Sequence, residues 1–356
     1  MTASRDEILR ALDQVIDPAS GRSVVQENMV AGLIVRNGEV HFALEVPDAR
    51  GAGAEPLRQA CEEAVTKLPG IVSVGAVLTA HRPFAPAGHA PSPALAGITR
   101  IIAVASGKGG VGKSTVAVNL ALGLKRLGLT TGLLDADIYG PSLPRLLDIH
   151  HKPESDGKKI RPIEKYGLKT MSIGFLVKED EAMIWRGPMV QSALTQMLGD
   201  VAWAPLDVLV LDMPPGTGDA QLTIAQRAPL KGAVIVSTPQ DLALSDAKKG
   251  IAMFRKTAVP ILGLIENMSV FVCPDCGHAH HIFGQGGVRR TAEAMAVPFL
   301  GEIPLMPRIR EASDQGKPLM VAEPEGPEAR AFLAVAEKVS AALAHEARPA
   351  PRIVFE

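Results

Sequence analysis

Residues 101–115 read IIAVASGKGGVGKST, an apolar run followed by a glycine-rich segment. From Gly107 to Ser114 the spacing is G-x-x-x-x-G-K-S, and apolar residues at helical spacing continue from Val116 to Leu127. In such a strand–loop–helix unit, successive backbone N–H groups and the helix N-terminus face one anion. We therefore predict a phosphate-binding site formed by Gly107, Lys108, Gly109, Gly110, Val111, Gly112, Lys113, Ser114 and Thr115.

The positions of the two lysines in this loop predict different roles for them. Lys113 would neutralise the β- and γ-phosphates of a nucleotide, and the Ser114 hydroxyl would bind Mg²⁺. Lys108 occupies the first variable position of the motif, so it cannot easily share the place of Lys113 on its own nucleotide. A cation at this position can instead reach a phosphate across a dimer, as an arginine finger does. The alternative is a solvated loop lysine.

Two carboxylates, Asp137 and Asp212, come at or shortly after the ends of apolar runs. Strand ends of this kind meet at the carboxyl edge of a parallel sheet, where ligands bind. We predict that Asp137 orients or deprotonates an attacking water and that Asp137, Asp212 and Ser114 surround Mg²⁺, Asp212 through a water. The turn at 216–219 is predicted to sense the γ-phosphate. An isolated strand-end Asp would more simply cap a helix.

Short apolar runs recur along the second part of the chain, with helical stretches between most of them. The runs are 101–105, 132–134, 208–211, 233–236 and 261–265. Continuous Val, Ile and Leu imply burial on both faces, which is typical of a parallel sheet with crossover helices. A last helix is predicted from about Pro327 to His345. The predicted fold class is α/β, a mostly parallel sheet flanked by helices.

The segment 83–97 is rich in Pro, Ala and Gly and carries no formally charged residue, which predicts a linker. The predicted units are a small α+β domain at 1–82, this linker, a phosphate-loop domain at 98–346 and a tail at 347–356. Within the small domain, helix patterns from Ile8 to Ile16 and from Leu57 to Leu68 accompany alternating strand patterns.

Charge and composition exclude several classes of protein. Lys plus Arg number 37 and Asp plus Glu 38, and this balance argues against a globally basic nucleic-acid binder. No apolar run reaches the roughly 18–20 residues that span a bilayer, and no apolar segment typical of a secretory signal follows the N-terminus. Three cysteines cannot form a disulfide framework. We expect a cytoplasmic protein that binds neither nucleic acid nor membrane.

Longer motifs around these residues resemble a known family. The K-G-G-x-G-K-[ST] pattern from Lys108 to Ser114 is similar to that of the deviant Walker-A ATPases, the MinD/ParA/nitrogenase-reductase group. Within that group the chain resembles the Mrp/ApbC iron–sulfur cluster carriers over about 98–340. The segments that carry this resemblance are DADIYGPS at 135–142, DMPPGTGD at 212–219, ENMS at 266–269, CPDCG at 273–277 and GEIPL at 301–305.

The resemblance implies a P-loop NTPase fold and slow ATP hydrolysis at a homodimer interface, with Lys108 acting in trans. It also implies that Asn267 and the loop after Pro304 hold adenine. The N-terminal unit resembles the small iron–sulfur-assembly domain that often precedes the ATPase in bacterial members. That domain often carries a cysteine after its central strand, whereas residues 46–51 here read VPDARG, which makes a cluster-handling role doubtful. Cys61, in the second helix pattern, is expected to be a buried small residue.

The pair Cys273 and Cys276 supplies two thiolates on one turn. A cluster that needs four cysteine ligands can be completed by the same pair of a second copy across a two-fold axis. Three other interpretations stay open. The pair could hold zinc together with two of His278, His280 and His281, it could be redox-active, or the cysteines could be structural.

These observations favour a cytoplasmic homodimeric ATPase that uses ATP and Mg²⁺, carries a [4Fe-4S] cluster and delivers it to apo iron–sulfur proteins. Its other expected partners are scaffold or iron–sulfur assembly proteins. One alternative is a MinD/ParA-like positioning ATPase that binds membrane or DNA, with the cysteines holding zinc. Another is an electron-transfer reductase, whose ligand cysteines would come from separate segments rather than from one adjacent pair.

Overall fold

The chain forms two compact units, residues 1–88 and 89–356, each with a hydrophobic core of its own. The computed structural model describes residues 5–18, 20–27, 29–36, 38–47, 54–81, 95–157, 159–177 and 187–344. Most of the predicted linker and the whole predicted tail at 347–356 lie outside the described residues. The predicted domain boundaries therefore stay predictions.

The first unit is a three-stranded sheet with two helices. Its elements are α1 (Arg5–Leu12), β1 (Val30–Arg36), β2 (Glu39–Pro47), α2 (Glu55–Thr66) and β3 (Ser73–His81). The central strand β2 is antiparallel to β1 and parallel to β3. Cys61 of α2 is fully buried, as predicted, and burial raises the pKa of its thiol to about 11. A thiol that is buried and protonated in this way is a packing residue.

The first helix is shorter than predicted. It ends at Leu12 rather than near Ile16. Ile16 forms a β-bridge with Ser23 and is 52% exposed, and the backbone N–H of Val24 donates to the Val15 carbonyl at 2.9 Å. The apolar spacing continues the helical pattern at this point. The backbone N–H and C=O groups, however, form hydrogen bonds with the following segment instead of a helix.

The second unit contains ten strands and nine helices among the described residues. The strands are β4 (Ile98–Ala105), β5 (Thr131–Asp135), β6 (Ile163–Lys165), β7 (Leu168–Ser172), β8 (Leu206–Asp212), β9 (Leu230–Ser237), β10 (Ile261–Asn267), β11 (Phe271–Val272), β12 (Ala279–His280) and β13 (Phe299–Ile303). The helices are α3 (Lys113–Arg126), α4 (Leu143–Leu146), α5 (Gly187–Gly199), α6 (Asp219–Arg227), α7 (Asp241–Lys256), α8 (Gly287–Ala294), α9 (Pro307–Asp314), α10 (Leu319–Ala322) and α11 (Pro327–Ala344).

Eight of these strands form one sheet in the order β13-β10-β9-β4-β8-β5-β7-β6. The neighbouring strands are parallel except for β6, which runs antiparallel to β7 at the edge. The five apolar runs noted in the sequence lie in β4, β5, β8, β9 and β10, so the predicted α/β fold is confirmed. The short edge strand β6 was not predicted, because an edge strand needs no continuous apolar run.

The strand order brings the predicted site residues to one edge of the sheet. Strand β4 lies between β8 and β9, although both follow it in the chain. In parallel register, Asp212 at the end of β8 pairs with Val104 on one side and with Asp135 on the other. The loops after β4, β5, β8 and β10 therefore leave the sheet on the same side, which is where ligands bind in such folds.

Helix α11, the longest element, covers the sheet and packs closely against α3. A Cβ added to Gly123 of α3 would come 2.7 Å from the Cβ of Ala336 in α11. Gly250 of α7 is also helical, yet a Cβ there would meet no atom within 4 Å. None of the helices in the described ranges is long and apolar enough to cross a membrane.

These two glycines give a matched test of helix packing. Gly250→Ala should raise the free energy of unfolding by up to about 1 kcal/mol, because alanine is the better helix former and has room. Gly123→Ala should lower it by about 1–3 kcal/mol, because overpacking against Ala336 outweighs the same gain. Urea unfolding followed by tryptophan fluorescence reports on this unit, since both tryptophans lie at 185 and 203. Equal effects of the two substitutions would contradict the close helix crossing.

Candidate nucleotide site and cysteine hairpin

The glycine-rich loop joins β4 to α3, and its backbone is tightly held on one side. Gly112, the residue before α3, has a φ of 80°, a left-handed conformation that side chains disfavour. A Cβ on Gly107 would come 2.2 Å from the carbonyl carbon of Asp246, so the loop backbone lies directly against α7. Gly109 and Gly110 are exposed. The loop is therefore anchored at both ends and open at its tip.

Lys113 and Asp212 form a buried ion pair at the centre of this edge. The Lys113 ammonium lies 2.5 Å from Oδ1 of Asp212 and 3.2 Å from the Ser114 hydroxyl. The Asp212 side chain is fully buried, and its Oδ2 has no hydrogen-bond partner among the described residues. A buried carboxylate oxygen without a donor fits a divalent cation or a water bound to one.

Asp135 holds the segment that carries Asp137. Its Oδ2 accepts from the backbone N–H groups of Ser142 (2.8 Å) and Leu143 (3.2 Å) and from the Ser172 hydroxyl (3.0 Å). Its Oδ1 accepts from the Asp137 N–H at 3.1 Å. Four donors on one buried carboxylate fix the loop after β5, so the direction of Asp137 depends on Asp135.

The carboxylates of this cluster have perturbed acidities. Burial and the neighbouring Asp212 raise the pKa of Asp135 to about 7, against hydrogen bonds that favour its charged form. Burial also raises the pKa of Asp137, although the Lys113 ammonium acts in the opposite direction. A half-buried carboxylate with a raised pKa is a better proton acceptor than an exposed one, which suits the predicted role of Asp137.

The turn after β8 lies against the start of the glycine-rich loop. The Gly216 N–H donates to the Ser106 carbonyl at 3.0 Å. The side-chain amide of Gln221, which is buried, donates to the carbonyls of Pro214 (3.0 Å) and Pro215. The turn predicted to sense the γ-phosphate is thus attached both to the loop and to α6.

The remaining loop residues lie at the mouth of the site. Lys108, Ser114 and Thr115 are partly exposed. The Lys108 carbonyl accepts a hydrogen bond from the Ser106 hydroxyl at 2.9 Å. This bond restrains the Lys108 backbone.

Asn267 lies under the glycine-rich loop rather than apart from it. Its Nδ2 donates to the Val111 carbonyl at 2.8 Å, and the side chain is 7% exposed. Pro304 follows β13, the strand that pairs with β10, and the N–H of the next residue, Leu305, donates to the Val270 carbonyl at 2.8 Å. The two segments implied to hold adenine are therefore neighbours, and the adenine contact itself stays a prediction.

The cysteine pair occupies the tip of a short antiparallel hairpin, β11–β12. The Cys273 N–H donates to the His278 carbonyl at 3.0 Å, and the Gly277 N–H donates to the Cys273 carbonyl at 2.9 Å. The sequence predicted only a loop here, because two-residue strands leave no periodic pattern. Cys276 is exposed and Cys273 is partly exposed.

The turn of the hairpin favours the thiolate form of Cys273. The backbone N–H groups of Cys276 and Asp275 and the Cys276 thiol lower the pKa of Cys273 through hydrogen bonds to its sulfur. A thiolate is the form that binds a metal. Throughout the described part of the chain, no three His, Cys, Asp or Glu side chains lie close enough together to hold a metal ion. The cysteines and nearby histidines thus do not form a four-ligand zinc site within one chain.

Sequence reasoning missed three positioning residues. Asp135 was visible in the D-A-D motif, but only Asp137 received a role. Gln221 and Ser172 carry no local signal, because their importance comes from partners brought near by the sheet. All predicted phosphate-loop residues and both acidic residues do meet at the same edge.

The acidity of Asp135 predicts a pH dependence of stability. Between its ordinary value of 3.8 and its folded value of about 7, the folded chain keeps a proton that the unfolded chain has released. The wild-type free energy of unfolding should therefore fall, relative to Asp135→Asn, by up to about 1 kcal/mol per pH unit in this window. Chemical unfolding at a series of pH values measures the difference. Exposed Asp200→Asn is the control, and parallel curves for wild type and Asp135→Asn would contradict the assignment.

Comparisons with known proteins agree with this geometry. Residues 97–340 match the family model described as NUBPL iron-transfer P-loop NTPase, and residues 5–77 match the one described as iron-sulfur cluster assembly protein. The chain is 46% identical to the iron-sulfur cluster carrier protein of Haemophilus influenzae, over 95% of this chain and 92% of that one.

Solved structures show the same fold. A nucleotide-binding protein from Archaeoglobus fulgidus in complex with ADP is 40% identical, with a TM-score of 0.59, and covers 67% of this chain and 93% of its own. The cell division ATPase MinD of Pyrococcus furiosus, 23% identical with a TM-score of 0.52, covers 68% of this chain and 99% of its own and shares the fold alone. The motifs, the fold and these matches together establish that the chain belongs to the NUBPL iron-transfer family of P-loop NTPases.

Proposed function

We propose that this protein is a homodimeric ATPase that carries a [4Fe-4S] cluster between Cys273 and Cys276 of two protomers and delivers it to apo iron–sulfur proteins. One observation carries the proposal. This chain of an iron-transfer family carries two cysteines three residues apart, one of them with a lowered pKa, on an exposed hairpin. Scaffold or assembly proteins would load the cluster, and the relatives named as carriers support this role.

The ligand count supports sharing between two chains. A [4Fe-4S] cluster is held by four cysteines, and one hairpin supplies two. The third cysteine, Cys61, is buried in the other unit with a raised pKa, so it is a poor ligand. A two-fold axis beside the hairpin brings the number of thiolates to four, and the exposure of Cys276 leaves room for the cluster and for a recipient protein.

The distribution of exposed apolar side chains also supports a dimer through this edge. Among the described residues of the second unit, five of the seven large ones lie in the segments after β5, β8 and β9 or in and just after the β11–β12 hairpin: Tyr139, Leu222, Leu242, Val272 and Ile282. Leu242 is 67% exposed and Tyr139 is 66% exposed, so both side chains are accessible to a partner surface. A partner that covers this edge would bury them and would bring its Lys108 towards the facing nucleotide.

The proposed nucleotide chemistry begins with a change of the anion that is paired with Lys113. An entering phosphate would compete with Asp212 for the Lys113 ammonium, and Asp212 would then have both oxygens free to hold a cation through water. Ser114, Asp137 and Asp212 fit Mg²⁺, which supplies neutralisation of charge on the β- and γ-phosphates. Asp137 then orients the attacking water, and Lys108 of the second protomer stabilises the charge that develops.

The alternative of a positioning ATPase is not favoured. Its structural relatives share only the fold at this level of identity, and it gives the exposed cysteine hairpin no role. A zinc ion bound within one chain has no third and fourth ligand among the described side chains.

Iron binding tests the cluster site. After anaerobic reconstitution with iron and sulfide, the wild-type protein should hold about four irons per dimer. Cys273→Ser and Cys276→Ser should each lose most of this iron and keep nucleotide binding, because the hairpin lies outside the phosphate loop. Cys61→Ala is the matched control and should keep the iron. A Cys276→Ser protein with full iron, or a wild-type chain with one zinc per monomer, would refute the ligand assignment.

Mixed dimers test whether Lys108 acts across the interface. Lys108→Ala alone should lower ATP turnover by at least about tenfold and change nucleotide affinity by less than about threefold. Asp137→Ala should also be inactive. If Lys108 acts in trans, mixing the two variants should restore about a quarter of wild-type turnover, since half of the dimers are mixed and one site in each is complete. Exposed Lys338→Ala should behave as wild type, and no recovery on mixing would mean that Lys108 acts in its own site.

A further inference from the structure

Two consecutive side chains at the end of β10, those of Asn267 and Met268, lie against the glycine-rich loop. Asn267 Nδ2 donates to the Val111 carbonyl at 2.8 Å. A Cβ added to Gly112 would come 2.3 Å from the same Nδ2 and 3.6 Å from Cε of Met268. Gly112 directly precedes Lys113, so these contacts are made where the loop would curve around a phosphate. A change in the backbone at Gly112 would therefore act directly on Asn267 and Met268.

The same two residues begin the path to the cysteines. Met268 has a φ of 56°, a left-handed conformation that is strained for a side chain of this size, and it turns the chain out of the sheet. Ser269 then donates to the Ile303 carbonyl from both its N–H (3.1 Å) and its hydroxyl (3.2 Å). The hairpin begins two residues later, at Phe271. Because Ser269 is held by these hydrogen bonds, the Met268–Ser269 turn has little freedom to change its conformation.

The other end of the hairpin segment is held independently of the loop. The buried carboxylate of Glu266 accepts from the backbone N–H groups of Gly286 (3.2 Å) and Val288 (2.8 Å) at the start of α8. Glu266 and Asn267 are the last two residues of β10. One of them thus fixes the end of the 268–285 segment, and the other couples its beginning to the phosphate loop. The two ends of the segment therefore have different anchors, and the one at its beginning touches the phosphate loop.

We propose that Asn267 is a positioning residue that transmits the occupancy of the phosphate loop to the cysteine hairpin, through the Val111 carbonyl on one side and the Met268–Ser269 turn on the other. This link deepens the proposed function and rests on it for its biological purpose. It differs from an adenine contact, because the partner of Asn267 is the loop backbone.

Hydrogen–deuterium exchange of the full chain without a cluster tests this link. Magnesium tripolyphosphate is the probe, since it can fill the phosphate loop but has no base. In the wild type it should slow amide exchange in residues 270–285 by at least about threefold. Asn267→Ala and Asn267→Asp should abolish this response at a tripolyphosphate concentration that saturates each variant. The alanine variant removes the side chain, whereas the aspartate variant keeps its size, removes the donor and adds a negative charge.

Two controls distinguish a loss of coupling between the phosphate loop and the hairpin from a general loosening of the hairpin. Glu266→Gln weakens the other anchor, so it should raise basal exchange of the hairpin and keep the response to tripolyphosphate. Peptides from α2 in the first unit should not respond. A response of wild-type size in both Asn267 variants, no response in the wild type, or a response to ATP but not to tripolyphosphate would each overturn the proposal. Iron content reports separately on the cluster site, so a failure of the link and a failure of the carrier function give different results.

Discussion

The buried ion pair between Lys113 and Asp212 joins the two parts of the nucleotide site. Lys113 begins the helix after β4, and Asp212 ends the neighbouring strand β8. Charges buried this deeply are stable only as a pair, and removal of one partner typically costs about 3–5 kcal/mol. The pair therefore restricts the site to an arrangement in which β4, its loop and β8 keep their register. The orphaned Oδ2 of Asp212 and the hydrogen bonds of Asp135 are arranged around it.

Much of this architecture is encoded locally. The five apolar runs predicted five of the eight strands of the central sheet, and the glycine-rich motif predicted the loop that follows β4, because burial on both faces leaves a continuous apolar signal. The edge strand β6 and the hairpin β11–β12 left no such signal. The predicted end of α1 was wrong, because the apolar spacing at Ile16 fits a helix whereas the backbone there pairs with Ser23. Tertiary hydrogen bonding decided these segments.

The candidate site likewise contains residues that the sequence predicted and residues that it did not. Residues that act on phosphate, such as Lys113, could be found from motif spacing, since the chemistry requires them at fixed distances along the chain. The residues that orient these side chains could not be found from motif spacing. Asp135, Gln221 and Ser172 gain their roles from partners brought near by folding. Asn267 was named only as an adenine contact, and nothing in the sequence gives its distance from Val111. The cysteine pair lies between these cases, because its spacing is visible but the hairpin that exposes it is not.

The way Glu266 and Asn267 hold the two ends of the 268–285 segment has a consequence for natural variation. The segment leaves the sheet at β10, and its far end returns to the side chain of the same strand. Closing such a segment costs only about 0.6 kcal/mol more for each doubling of its length. Insertions or deletions at its tip should therefore be tolerated by the central sheet, and homologous chains can differ in the size and contents of this appendage while the ATPase scaffold beneath it stays the same.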